Sequence, residues 1–252
     1  MRGIVAATLC GSLFIVGCAT YPLRFKPQPG EKSLMQAEFS VKTETYQNNR
    51  LIQLDEDFVS FGIQSSIKNI EPTGAILISK KTVNKKGKLP LRNLGFPEKG
   101  EEMFFTVDSR GLVLSVKGEQ PGSLFYLPFF IFPKKELVSL GATWEEEIQW
   151  NSQFQLLAMI TTISSKLSAM EPCQNQAGFS CYRIEFKTTS HPTPLAEEVH
   201  LSDSSTGYYL WDPKNNKVTY AETHFIDTLA LDDRNQSISR SIFKLKASSD
   251  QK

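Results

Sequence analysis

Hydrophobic and polar side chains alternate along most of this chain. From Met35 the odd positions read Met35, Ala37, Phe39 and Val41, and the even ones Gln36, Glu38, Ser40 and Lys42. Successive side chains of a strand point to opposite faces, so a period of two marks a half-buried strand. The same period runs through residues 59–67 and 159–169, and further strand-like runs occupy 74–83, 102–107, 112–117, 143–150, 181–188, 207–211, 217–229 and 238–246. No window of helical length carries a comparable i, i+3, i+4, i+7 stripe, and the best helix candidate is a short one around 195–200. The pattern predicts a mostly β fold: a large curved antiparallel sheet or half-barrel with few short helices.

An internal echo suggests how that sheet is organised. Phe104-Phe105-Thr106-Val107-Asp108 passes through Ser109-Arg110-Gly111 into Leu112-Val113-Leu114-Ser115-Val116, and Tyr208-Tyr209-Leu210-Trp211-Asp212 passes through a polar turn into Lys217-Val218-Thr219-Tyr220. Each is an aromatic strand, an aspartate, a polar turn and a second strand. Aspartate bonds its own backbone in such turns, while glycine and asparagine accept positive φ. The echo predicts two related antiparallel halves, 34–133 and 134–252, which are two units or one continuous domain.

The N-terminal segment has a different pattern. Arg2 is the one charge among the first seventeen residues, an apolar run follows over 4–16, and the segment closes on Ile15-Val16-Gly17-Cys18. A charged start, a short apolar run and small residues at the end describe an export signal. The run is shorter than the roughly 20 residues a permanent span requires. Ile15-Val16-Gly17-Cys18 resembles the lipobox of bacterial lipoproteins. That resemblance implies cleavage before Cys18, lipidation of Cys18, and anchoring to a membrane through N-terminal acyl chains. With Ala19 next, it implies the outer membrane of a diderm bacterium. An ordinary secretory cleavage at Gly17-Cys18-Ala19 and an uncleaved anchor are the competing readings. Residues 18–33, with Pro22, Pro27, Pro29 and Gly30, read as a stiff tether between lipid and domain.

Composition narrows the function. Cleavage before Cys18 removes Arg2 from 28 basic residues and leaves 27, against 27 acidic ones. A neutral domain has no excess charge to neutralise phosphates, so nucleic acid is not an expected partner. Of four cysteines, Cys10 leaves with the signal and Cys18 takes the lipid. Cys173 and Cys181 are then most simply a structural disulfide in an oxidising compartment. The alternatives are a redox or metal pair and free thiols.

Two surfaces stand out. Residues 124–133, Leu-Phe-Tyr-Leu-Pro-Phe-Phe-Ile-Phe-Pro, form the most apolar stretch beyond the leader. Prolines at both ends exclude a regular central strand. Phe125, Tyr126, Phe129, Phe130 and Phe132 are either rings that plug the core or an apolar lip meeting a lipid, a ligand or a protein partner. Glu145, Glu146 and Glu147 stand in a row between Trp144 and Trp150, which places that strand at a sheet edge or a solvated rim.

Catalytic patterns are missing from the sequence. His191, His200 and His224 match no metal-ligand spacing and read as surface loop residues. No serine stands in a nucleophile elbow, and no glycine-rich phosphate loop exists. Asp55-Glu56-Asp57 and Asp232-Asp233 read as solvated turns. The expectation is a protein with no catalytic residue, no metal and no cofactor. At the level of architecture the domain resembles LolA-like and LppX-like periplasmic carriers, a resemblance that implies a half-barrel whose hollow accepts acyl chains. Three functions follow in order: an interaction or assembly module of the envelope; a carrier or sensor of lipid or another apolar ligand; a hydrolase or metal-dependent enzyme using the histidines.

Overall fold

The computed structural model describes residues 19–117, 130–151, 158–174, 178–193, 200–230, 232 and 234–248. Cys18, Phe125, Tyr126, Phe129 and the helix expected over 195–199 lie outside the described residues, and His200 opens a strand.

Among the described residues the long strands are β2 (Lys32–Gln47), β3 (Arg50–Ile70), β4 (Ile76–Gly87), β5 (Glu102–Val107), β6 (Val113–Val116), β8 (Thr143–Asn151), β9 (Ala158–Pro172), β10 (Ser180–Pro192), β11 (His200–Asp212), β12 (Lys217–Ala230) and β13 (Gln236–Ala247). These eleven form one antiparallel sheet in the order β6-β5-β4-β3-β2-β13-β12-β11-β10-β9-β8, curved but not closed into a barrel. A two-stranded ribbon pairs β1 (Thr20–Pro22) with β7 (Leu137–Ser139). Helix is confined, among the described residues, to one 3-10 turn at Arg92–Leu94.

The order resolves into two five-stranded meanders, β2–β6 and β8–β12, laid side by side in the same sense with β13 between them. The sequence echo falls on the last hairpin of each meander. At both turns an aspartate caps the backbone: Asp108 Oδ1 accepts from the N–H groups of Arg110 and Leu112 at 2.8 and 2.9 Å. Asp212 Oδ1 accepts from those of Lys214 and Asn215 at 2.9 and 3.1 Å. Asn48 and Asn49 both take positive φ, 53° and 60°, as a two-residue β2–β3 turn requires.

Side chains of inward parity fill the concave face. Ala37, Phe39, Val59, Phe61, Leu167, Ile184, Tyr209, Phe243 and Leu245 are buried there. Among the described residues no helix covers this hollow. Three irregular segments do, by inserting Leu23, then Leu91 and Phe96, then Phe132.

The first of these corrects the tether. Tyr21 meets the Tyr182 ring edge-on at 5.4 Å, Leu23 is fully buried, and Phe25 meets Trp211 at 6.4 Å. Leu23 N–H donates to Glu136 O at 2.8 Å and Phe25 N–H to Ser109 O at 3.2 Å. Proline-rich composition signalled irregular backbone correctly, but the aromatic and leucine side chains between the prolines hold it to the domain. The acidic run 55–57 is likewise corrected from turn to strand. It lies in β3, on an exposed stretch that β2 alone pairs.

Candidate functional site

The two outermost strands of the sheet approach each other at one end of the curve. Arg110, in the β5–β6 turn, sends Nη1 to Glu146 Oε2 on β8 at 2.6 Å, while its Nε donates to Asp108 Oδ2 at 3.1 Å. Residues 130–132 cross the gap between these edges. Phe132 N–H donates to Arg110 O at 2.8 Å, and Trp144 Nε1–H donates to Ile131 O at 2.8 Å. Gly111 makes the crossing possible: its φ is +86°, and a Cβ there would stand 2.2 Å from Phe130 O. Arg24 and Lys26 both pair with Glu136, adding the N-terminal segment to the clasp. As expected of a strand with three glutamates in a row, β8 is a sheet edge, with Glu146 turned toward this clasp.

Behind the clasp lies a cavity of about 350 Å³. Ile63, Ile67, Ile78 and Phe105 wall it from the first meander, and Phe25, Phe130, Phe132 and Trp211 close it from the other side. That volume is at the lower end of the roughly 300–1,000 Å³ of small-molecule sites, room for one chain rather than several. Lys80 projects into it from β4, with Nζ 4.6 Å from the Phe105 ring centre and 5.5 Å from that of Phe96.

Of the apolar-surface residues expected from the sequence, Phe130 and Phe132 therefore line the cavity. Phe132 is also a core ring, 4.7 Å from Trp211 and fully buried. Cys173 and Cys181 form a disulfide, Cα–Cα 4.9 Å, in a separate small cluster with Leu210. The three histidines stand exposed on strands β10, β11 and β12 rather than on loops: His191 and His200 because those strands run further than their apolar periodicity, His224 on the outward parity of the expected run 217–229. His224 Nε2 lies 2.9 Å from Glu222 Oε1. Among the described residues no cluster of three or more His, Cys, Asp or Glu could hold a metal ion.

At the opposite end the concave face turns polar. Strand register lines up Thr161, Ser190, Asp203, Asp227, Ser239 and Thr43 in one row across six strands. Trp150 Nε1–H donates to Thr161 Oγ1 at 2.8 Å, and the Thr161 and Ser190 hydroxyls are 2.6 Å apart. Ser190 Oγ–H reaches Asp203 Oδ2 at 3.4 Å. Asp203 and Asp227 bond each other. Burial raises both carboxyls above the ordinary range, and the neighbouring Asp203 charge helps push Asp227 up to about 7. Sequence reading missed this row, and it missed Lys80. Each could have been found by asking which polar residues share parity with the apolar face of their strand.

No protein-family model matches the chain, and no curated protein matches it. Several solved structures are similar to it at low identity. Lipovitellin, described in terms of lipid–protein interactions, has 10% identity over 88% of this chain at a TM-score of 0.43. The chain spans about a quarter of lipovitellin, 25% of its length. DynF, of the dynemicin biosynthesis pathway of Micromonospora chersina, has 7% identity over 99% of this chain and 94% of its own, TM-score 0.27. An outer membrane channel of Pseudomonas putida F1 has 6% identity over 89% of this chain and 98% of its own, TM-score 0.22. With every TM-score below 0.5, these likenesses carry no conclusion about function.

Proposed function

We propose that this protein is a non-catalytic carrier or sensor that holds one small apolar ligand in the hollow of its sheet, anchored to the outer membrane by acyl chains on Cys18. The single observation behind the ligand is the cavity: a concave space, more apolar than polar, walled by elements already in place. Sequence alone favours an interaction module, and the cavity moves the balance to ligand binding. Anchoring rests on the lipobox-like Ile15-Val16-Gly17-Cys18. Because β1 starts at Thr20 and Phe25 lines the cavity, a lipid on Cys18 would hold the cavity within about 25 Å of the bilayer, seven extended residues.

Native mass spectrometry of the full chain, recovered from an expressing bacterial envelope, tests the reading. The expected result is a co-purifying mass in the lipid range that is lost on denaturation. It should also be lost in Val113→Trp, which fills the cavity from the edge strand β6. A clean protein mass in the wild type would sink the proposal.

A second reading, the interaction module, is favoured by the tip of the β2–β3 hairpin. Leu51, Ile52, Leu54 and Phe58 are exposed there, and β4 pairs with β3 only from Val59 onward. Such an edge suits a partner that adds a strand. Crosslinking from position 52 in cells would capture that partner, and the absence of any adduct would remove this reading.

A further inference from the structure

Lys80 is a charge that a purely apolar ligand leaves without a role. It occupies the inward parity of β4, in line with Ile76, Ile78 and Thr82. Its ammonium lies over two aromatic rings and makes no ion pair among the described residues. Among the described residues Glu31 is the one carboxylate lining the cavity, and its Oε2 accepts the Gln28 N–H at 3.0 Å. Lys80 is half-buried by surface area, yet burial lowers its pKa to about 8. Both hold when its exposed part faces the cavity rather than bulk water.

The register places hydroxyls beside it. Ser65 of β3 pairs directly with Lys80, Ser33 of β2 pairs with Ser65, and both line the cavity. Asn216 lines it as well, with a buried Nδ2 that finds no acceptor among the described residues. Ring faces stabilise an ammonium by less than desolvating the ion costs. The remaining deficit is what an anion would offset.

Resting on the apolar-ligand reading, we propose that the cavity binds an acidic amphiphile: one apolar chain ending in a single anionic group, with Lys80 as counter-ion and Ser65 and Ser33 as hydroxyl donors. The chain would lie against Ile63, Ile67, Phe105 and Phe132. Lys80 would then be the residue that distinguishes an acid from its neutral ester or alcohol.

Fluorescence titration of the delipidated full chain with cis-parinaric acid, and in parallel with its methyl ester, tests this. The acid should bind at least about tenfold more tightly than the ester. Lys80→Met keeps the length of the stem and removes the charge. It should weaken the acid about tenfold or more and leave the ester unchanged, while Lys80→Arg should keep the preference. Equal affinities of the wild type for acid and ester, or a preference that survives in Lys80→Met, would overturn the role of Lys80 and leave the apolar-ligand reading standing. Failure of the wild type to bind either probe would overturn both. Should Lys80→Met not fold, the wild-type acid-to-ester ratio decides alone.

Discussion

Tyr209 illustrates how a single residue reveals the balance of forces in the hollow. Its ring packs against Phe130, Phe132 and Phe186, and its hydroxyl is buried with no partner among the described residues. Burial alone raises the phenol well above its ordinary pKa. A buried hydroxyl without a hydrogen bond costs about 1–3 kcal/mol, whereas the ring contributes through its area. Tyr209→Phe should therefore raise the unfolding free energy by about 1 kcal/mol in urea titrations, and a loss of that size would reveal a partner. Asp203 and Asp227 make a second prediction. An unfolded aspartate titrates near 4, whereas Asp227 holds its proton to about 7. Between these values the native state binds more protons than the unfolded one, so stability falls as pH rises through the window. The urea midpoint should be higher at pH 5 than at pH 8, and Asp227→Asn should flatten most of that difference.

At the scale of elements, close approach of backbone governs what each position tolerates. A Cβ at Gly207 of β11 would stand 2.3 Å from Glu222 O and 2.8 Å from the Phe186 ring. Strand propensity argues against glycine here, and packing overrides it: the missing side chain is where Phe186 lies. Gly111 is more demanding still, because it combines positive φ with the contact to Phe130 O. Gly111→Val should cost more than about 2 kcal/mol through strain and clash, and should release segment 130–132 to limited proteolysis. The disulfide acts on the other meander. Joining residues eight apart in sequence should contribute about 2.5 kcal/mol by restricting the unfolded chain, so Cys173→Ser with Cys181→Ser should lower the urea midpoint without altering ligand binding.

For the whole molecule, the clasp decides how far the sheet curls. Among the described residues no strand pairs with the outer edge of β6 or β8, and an open edge invites association with another chain. Arg110 and Glu146, at 18% and 15% side-chain exposure, tie the edges at one end. Removing Glu146 leaves a half-buried Arg110 with Asp108 as its remaining carboxylate among the described residues. Glu146→Ala should destabilise by about 2 kcal/mol and weaken retention of any cavity ligand, measured by co-purifying mass. Glu145→Ala, on the opposite face of the same strand, should do neither.

Much of this architecture is local information. A period of two is a property of consecutive residues, so the strands were legible, and Glu102–Val107 was found with its observed bounds. Asp108 and Asp212 marked their turns because an aspartate caps its own backbone two or three residues on. Periodicity fails where both faces of a strand are exposed, as at 50–58, or where nearly every residue is polar, as at 200–206, since nothing then distinguishes inside from outside. The proline-rich start showed irregular backbone but not that Leu23 would be buried, because its partners are contributed by residues more than a hundred positions away. Lys80 was assigned to a strand, but its placement in the hollow follows from which face the curvature turns inward. The sequence by itself determined the strands, their turns and the disulfide, each set by near neighbours. Tertiary structure decided the clasp, the cavity and the buried charge within it, because those arise only where two ends of one curved sheet come together.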